Sequence, residues 1–333
     1  MKIFLTGATG YLGERLVSAL LEDGHEIRAL IRNPEAMNPD ISDRLEIVQG
    51  DLAVPADPAF FEGIDALIHT AAMVKNWSPN RWLFSRINAE GYRHLLQAAK
   101  EAGVPKILHT SSFMALGPST RNKGPMHEQS PRWGGPFMND YERTKCEAEM
   151  ISRRFVEEGG PLVTLYPAVI YGPGRRTDGN LIGKLAFLIK EGKFPGLLGS
   201  GTQRWTLSYV EDIVSGHLKA LEKGVPGSRF ILGGPEVTLK DLVLRLSRLL
   251  GRSERAKTLP IALGKCVGAL QILRARLGGA EPELTPGVAE VYRHDWTYSS
   301  QNAVERLDYR ITPLDEGLTH TADWVRGLTS WQE

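Results

Sequence analysis

An α/β fold, a doubly wound parallel sheet followed by a smaller and mostly helical C-terminal part, is predicted by three features of the sequence. Strand and helix patterns alternate regularly over residues 1–167, which gives parallel strands with helices on both faces. The chain opens with an apolar run, Lys2 to Leu5, that meets glycines at 7, 10 and 13 and passes into a helical pattern of Leu12, Leu16, Val17, Leu20 and Leu21. After Pro167 glycine and proline become frequent, and helical stretches dominate from residue 239 onward.

The first strand and its turn, Thr6-Gly7-Ala8-Thr9-Gly10-Tyr11-Leu12-Gly13, carry the first functional signal. In such a turn backbone N–H groups approach a pyrophosphate, and the dipole of the next helix favours its charge. The spacing G-x-x-G-x-x-G departs from the G-x-G-x-x-G of the standard dinucleotide fingerprint. The competing reading is a plain strand–helix turn that needs glycine for positive φ. Further strands are read at His25–Ile31, Leu45–Gln49, Ala66–His69, Lys106–Thr110 and Leu162–Tyr166. A short helical piece stands at Pro58–Phe61, and helices at 80–102 and 140–158. Beyond Pro167, a helix is expected near Asn180–Lys190, and regular pattern returns at Trp205–Gly224 and Arg229–Leu232. Helices close the chain at Leu239–Leu250, Leu263–Leu277 and Leu314–Leu328.

This order predicts a dinucleotide-binding domain, residues 1–167 with a returning segment at about 205–232, and a smaller substrate-binding domain, 168–204 and 233–333. Ligands of such sheets bind at the carboxyl ends of the strands, so substrate is expected between the two parts.

The 333 residues suffice for one large or two ordinary domains. With 42% apolar and 24% charged residues the composition is that of an ordinary globular chain. A net charge of +1 gives no reason to expect nucleic acid or an anionic membrane as partner. Cys146 and Cys266 form neither a metal-ligand spacing nor a disulfide framework, and no metal is expected. The opening apolar run is too short for a signal peptide, and no apolar stretch is long enough to span a bilayer. The expected location is the cytoplasm.

Tyr141 and Lys145 lie four apart on a helix and therefore share a face. A tyrosine of ordinary pKa, about 10, is a poor acid or base at neutral pH. A nearby ammonium stabilises the phenolate, and lowering Tyr141 toward neutrality would take roughly 4 kcal/mol. A surface i,i+4 pair is the competing reading. Thr110-Ser111-Ser112 ends the fifth strand, at the sheet edge where a hydroxyl could donate to a substrate carbonyl or alkoxide. The alternative is a local turn with a capping serine.

Arg32 follows the second strand, where an acid would accept from the ribose 2′-OH of NAD. A guanidinium suits a 2′-phosphate instead, which favours NADP(H), with Arg15 in support. An arginine stacked on adenine would accept NAD(H) equally.

These segments occur in the order of the extended short-chain dehydrogenase/reductases, and the sequence resembles that family over nearly its whole length. The set comprises Thr6–Gly13, Asp65–Ala72, Asn88-Ala89-Glu90-Gly91, Thr110–Ser112, Tyr141–Lys145 and Tyr166–Gly174. Within the family it is most similar to dihydroflavonol-4-reductase-like and farnesol dehydrogenase-like proteins. Four stretches carry that likeness: Thr110–Gly117, Gly199-Ser200-Gly201 leading to Arg204, Gly216-His217 with Ala220–Gly224, and Arg293–Ser299. The resemblance implies a Rossmann-like fold with Tyr141 as general acid/base. Lys145 would hold the nicotinamide ribose and Ser112 orient the reacting carbonyl, with Ser111 the lesser candidate. Asn88 would support the site through Lys145 or a water. Asp51 would bond the adenine amine, and Ala71 and Ala72 would let the cofactor backbone pass. Pro167 and Val169 would line the nicotinamide pocket, and Leu52, Thr70 and Tyr166 complete the implied cofactor set. His69 reads as a packing residue beside the cofactor. The resemblance also implies a homodimer formed through the helices at 80–102 and 140–158.

The expected reaction is the reversible, NADP(H)-dependent interconversion of a hydrophobic alcohol and its aldehyde or ketone. Met73, Trp77, Phe113, Met114, Tyr171, Leu181 and Leu185 are the expected substrate contacts, with Val74, Leu116, Phe137 and Met138 nearby. The first rival is a nucleotide-sugar epimerase or dehydratase. Such enzymes place an arginine before a Val-x-Asp stretch, whereas Arg204 stands slightly displaced and Trp205 occupies the expected place. Arg175 and Arg176 could still meet phosphates. A second rival, a non-catalytic NADP-binding protein, is disfavoured by the intact Tyr141–Lys145 pair. The apolar segment Leu259–Leu277 is read first as a buried helix, with a lid or a membrane-touching helix as alternatives.

Overall fold

Side chains alternate across the first strand, β1 (Lys2–Thr6). Ile3 and Leu5 enter one apolar cluster with Leu16, Val17 and Leu20, while Phe4 enters another with Leu67, Tyr92 and Leu95. A strand buried on both faces needs helices on both sides of its sheet. The computed structural model describes residues 1–37, 39–119, 124–253 and 256–331. In chain order it continues with β2 (Glu26–Ile31), β3 (Glu46–Gln49), β4 (Ala66–His69), β5 (Ile107–Thr110) and β6 (Leu162–Pro167). The later strands are β7 (Val169–Tyr171), β8 (Leu197–Leu198), β9 (Arg204–Tyr209), β10 (Arg229–Leu232), β11 (Glu236–Thr238) and β12 (Thr258–Leu259).

Seven strands form the main sheet in the order β10-β6-β5-β4-β1-β2-β3, every neighbouring pair parallel. This is a Rossmann-type sheet. The winding reverses between β1 and β4, the switch point where ligands of such sheets bind. The register brings Thr6 opposite His69, His69 opposite His109 and Thr110 opposite Leu165. The carboxyl ends that carry the candidate chemistry therefore stand side by side.

The helices are α1 (Tyr11–Glu22), α2 (Pro39–Ser42), α3 (Trp82–Ser85), α4 (Tyr92–Glu101), α5 (Phe113–Leu116), α6 (Asp140–Glu157) and α7 (Leu181–Lys190). They continue with α8 (Val210–Lys223), α9 (Leu239–Leu249), α10 (Ile261–Arg276), α11 (Pro286–Val291), α12 (Gln301–Leu307) and α13 (Leu314–Arg326). α1, α8 and α12 cover one face of the sheet, and α4 and α6 the other. A third apolar cluster, with Tyr171, Trp205, Leu242, Trp296 and Leu318, joins the β11-β9-β7 sheet to α7, α9 and α13.

Three expectations are revised. The helix at 80–102 is interrupted by a π-helical turn, Arg86–Gly91, between α3 and α4. The regular stretch at 205–224 divides into β9 and α8. The reading of Leu259–Leu277 as a buried helix does not hold: α10 buries only Gly264 and Gly268. A Cβ on Gly264 would come within 2.7 Å of Leu198, and one on Gly268 within 2.7 Å of the Thr285 backbone. The packed side of α10 is thus its glycine side, with Ile261 and Ile272 half-buried, while Leu263, Val267, Leu270, Leu273 and Leu277 face outward. Among the described residues no helix is long and apolar enough to cross a membrane.

Candidate active site

The glycine turn is built for a close approach. Gly7 has φ +84°, and a Cβ there would lie 2.5 Å from Thr70 Oγ1 and 2.7 Å from the Ala71 amide. A Cβ on Gly13 would lie 1.9 Å from the Gly7 carbonyl, so α1 can seat against β1 only with glycine there. Gly10 caps α1 without any side-chain cap, which leaves first-turn N–H groups for an anion. The Thr70 hydroxyl donates to the Thr6 carbonyl at 2.8 Å, and Thr6 Oγ1 meets His69 Nδ1 at 2.7 Å, which ties β1 to β4 across the switch point. Ala8 and Leu12 point into the core, and the Tyr11 hydroxyl donates to the Gly172 carbonyl at 2.9 Å. Thr9 offers its carbonyl to Arg175.

Arg32, just past β2, is largely exposed and stands 4.0 Å from Asp51 Oδ2. Asp51 Oδ1 accepts from the Ala53 amide at 2.9 Å, while Leu52 is buried. A guanidinium and a carboxylate therefore flank the adenosine side of the turn. These residues fit a dinucleotide.

The catalytic candidates converge on the far side of the switch point. Ser112 ends the β5 segment and caps α5, its Oγ accepting from the Met114 amide at 3.2 Å. Ser112 also lies near enough to the Tyr141 phenol to act on its proton affinity. Asn139 caps α6 by accepting from the Glu142 amide at 2.8 Å, so Tyr141 and Lys145 both fall in the first two turns of a well-started helix. Lys145 Nζ is buried, donates to the Thr110 carbonyl at 3.2 Å and lies 5.9 Å from the centre of the Tyr141 ring. Burial pushes Tyr141 up to about 12, a rise the Ser112 hydroxyl opposes, and pushes Lys145 down to about 8. The expected depression of Tyr141 by Lys145 is not seen: burial of the phenol dominates, and the ammonium stands 5.9 Å from the ring centre.

Asn88 lies in the π-helical turn. Its Oδ1 accepts from the Met73 amide at 2.7 Å, and its Nδ2 donates to the Met73 carbonyl at 3.2 Å and to Thr144 Oγ1 at 3.1 Å. It thus straps the loop after β4 to the residue next to Lys145, rather than bonding Lys145 itself.

With the fold and the candidate site described, comparison with known proteins gives the family. The NAD dependent epimerase/dehydratase family matches residues 3–233. The chain belongs to that family. A ceramide reductase of Caulobacter vibrioides is 31% identical over 97% of this chain and 94% of its own. A 2-alkyl-3-oxoalkanoate reductase of Stenotrophomonas maltophilia is 28% identical over 96% of this chain and 97% of its own. The crystal structure of gox2253 superposes with a TM-score of 0.81 at 30% identity, covering 97% of each chain. The protein is an extended short-chain dehydrogenase/reductase, an NAD(P)-dependent oxidoreductase.

The side chains expected around substrate in this oxidoreductase fall in more than one place. Phe113, Met138, Leu181 and Leu185, like Tyr141, are half-buried against the third cluster, and Phe113 meets Trp296 edge-on at 5.3 Å. Met114 is buried behind Ser112, and Trp77 is half-buried in the loop after β4. Ala71 and Ala72 line that loop, which Met73 joins to Asn88. Tyr171 sits elsewhere: it is fully buried, 5.5 Å from the Tyr209 ring, and a Cβ on Gly317 would reach 2.3 Å from its hydroxyl. Tyr166 donates to Glu149 Oε2 at 2.7 Å, so only its backbone is left at the sheet edge, beside Pro167 and Val169.

Two features escaped the sequence reading. His217 Nδ1 bonds the Ile213 carbonyl at 2.8 Å, which makes Nδ1 the donor and Nε2 an acceptor for the Thr110 hydroxyl, also at 2.8 Å. His217 therefore fixes the strand end whose carbonyl holds Lys145. Arg175 donates to the Thr9 carbonyl at 2.5 Å and the Ala36 carbonyl at 2.6 Å, and pairs with Glu14 at 3.4 Å. It latches the loop after β7 over the glycine turn. The Gly216-His217 pair was visible as a family likeness, but not its partner.

Proposed function

We propose that the enzyme interconverts a hydrophobic alcohol and its aldehyde or ketone with NADP(H). The observation that carries this reading is the convergence of buried Ser112 and Lys145 with half-buried Tyr141, which packs with Phe113, Met138, Leu181 and Leu185 against one apolar cluster. In the reducing direction the Ser112 hydroxyl donates to the carbonyl oxygen and Tyr141 delivers a proton to it. The charge left on the phenolate is opposed by Lys145, which the Thr110 carbonyl holds in place. NADPH, when bound, supplies the hydride to the carbonyl carbon. The glycine turn would hold its pyrophosphate and Arg32 its 2′-phosphate.

The arginines argue against a sugar-diphosphate substrate. Arg204 pairs with Glu236, Arg175 is held by Thr9, Ala36 and Glu14, and Arg176 donates to the Ser330 carbonyl. The relatives named for ceramide and for alkyl-oxoalkanoate substrates support an apolar substrate class. The reading includes the division of the chain into a dinucleotide part and a substrate part, and a homodimer through α3, α4 and α6. Trp82 and Met150 on those helices are exposed at 58% and 67%, which supports such a face.

The test is a screen at the absorbance of NAD(P)H with prenyl alcohols, hydroxysteroids, aromatic aldehydes and UDP-sugars. Turnover of an apolar alcohol or carbonyl is expected, lowered by roughly 10²–10⁴-fold in Tyr141→Phe. Conversion of a UDP-sugar without net absorbance change overturns the reading. NADPH should bind wild type more tightly than NADH, and Arg32→Ala should weaken NADPH by about 10-fold or more with little effect on NADH. Tighter binding of NADH to wild type sinks the NADP(H) assignment.

A further inference from the structure

The net charge of +1 conceals a local concentration of apolar surface on α10. Leu263, Val267, Leu270, Leu273 and Leu277 recur every three or four residues and are 39–80% exposed. Scattered exposed leucines are ordinary. A stripe running roughly 20 Å along one helix, with Cys266 exposed beside it, is not. The opposite side of the helix is its glycine side, so rotation of α10 cannot bury the stripe without losing the packing at Gly264 and Gly268.

We propose that this face of α10 docks on an anionic lipid bilayer surface. The charge pattern selects that occupant. The helix carries Lys265, Arg274 and Arg276 and no acidic residue. Acidic groups near it are engaged within the chain: Glu290 with Lys265, Glu281 with Lys75, and Glu283 with Lys184. A bilayer interface accepts leucines at the acyl boundary and supplies phosphates for arginines that reach outward. A second copy of this helix would bring cations against cations with no acid on either stripe.

The position of the helix gives the docking a purpose. Lys75, in the loop after β4, bonds both carboxylate oxygens of Glu281 at 2.9 Å, and Lys184 of α7 reaches Glu283 at 3.5 Å. A Cβ on Gly287, in α11, would lie 2.2 Å from the Met138 carbonyl, three residues before Tyr141. The segment that follows α10 thus crosses the mouth of the crevice. A docked α10 holds that mouth at the lipid surface. Docking itself stands apart from the substrate assignment and is read without turnover.

The experiment is co-sedimentation of the full chain with vesicles of phosphatidylcholine alone or mixed with phosphatidylglycerol. Wild type is expected to pellet with the mixed vesicles and much less with phosphatidylcholine alone. Leu270→Glu/Leu273→Glu, and separately Arg274→Gln/Arg276→Gln, should each reduce the bound fraction by about 10-fold. Far-UV circular dichroism of each variant should match wild type, since the altered side chains are exposed. Wild type left in the supernatant with mixed vesicles overturns the proposal, as do variants that pellet like wild type. Light scattering that shows Leu270→Glu/Leu273→Glu dissociating a wild-type oligomer assigns the stripe to a protein interface and also overturns it.

Discussion

Lys145 is held by a single carbonyl in a buried site, and its charge is the part of the mechanism most easily titrated. Desolvation brings it down to about 8, so the ammonium is present below that pH and is lost as pH rises through it. For a reaction that needs the ammonium against the Tyr141 phenolate, kcat/KM for NADPH should bend downward near pH 8. Lys145→Arg, which keeps its charge, should lower the maximum and remove the bend. A profile flat to pH 10 in wild type would mean that the ammonium is not used. The candidate catalytic residues were legible because hydroxyls at strand ends and a Tyr-x-x-x-Lys on a helix are local patterns. His217 was not, because its bond to Thr110 spans 107 positions. Arg175 was not for the same reason, reaching Thr9 across 166 positions.

Among the elements, the junction of β1 and α1 is the most constrained. Gly13→Ala would place a Cβ against the Gly7 carbonyl, with no flexible side chain to yield. It should destabilise the fold by about 1–3 kcal/mol and abolish dinucleotide binding. Gly24→Ala is the control: φ is +78° but nothing lies within 4 Å. It should cost only about 1–2 kcal/mol and leave binding unchanged. Urea midpoints and NADPH titrations separate the two. The long strands and helices could be read from periodicity, whereas β7, β11, α5 and α11 are too short to show a period. The π-helical turn leaves no periodic trace either. Its last residue, Gly91, packs close to the chain after β3, where a Cβ would meet the Leu52 carbonyl at 2.2 Å. α10 misled for another reason: an apolar pattern reports what a helix could bury, and only its packed neighbours decide which side it does bury.

For the whole molecule, three buried histidines make folding sensitive to acid. Desolvation pushes His69 down to about 3, His217 to about 4 and His109 well below the ordinary value, with Lys145 adding to the effect at His69 and His109. Between about pH 6.5 and these lower values the unfolded chain binds protons that the folded chain does not, so stability falls as pH falls. Each histidine should contribute about 1.4 kcal/mol per pH unit over that window. His217→Gln should reduce the slope of unfolding free energy against pH by one such share; an unchanged slope would show that His217 is not held neutral. The parallel order of the sheet was legible from the alternation of strands and helices, and a return at about 205–232 was read as well, but not that β10 pairs with β6. That return has a consequence for how such genes can recombine. The residues between β6 and β10 include β7 and β9 of the smaller sheet, so the last strand of the main sheet arrives only after the chain has visited its second half. A chain stopped after Pro167 would leave β6 as an open edge, exposed to pairing with other chains. Exchanging what lies outside the main sheet therefore takes a splice on each side of this excursion and a third after β10.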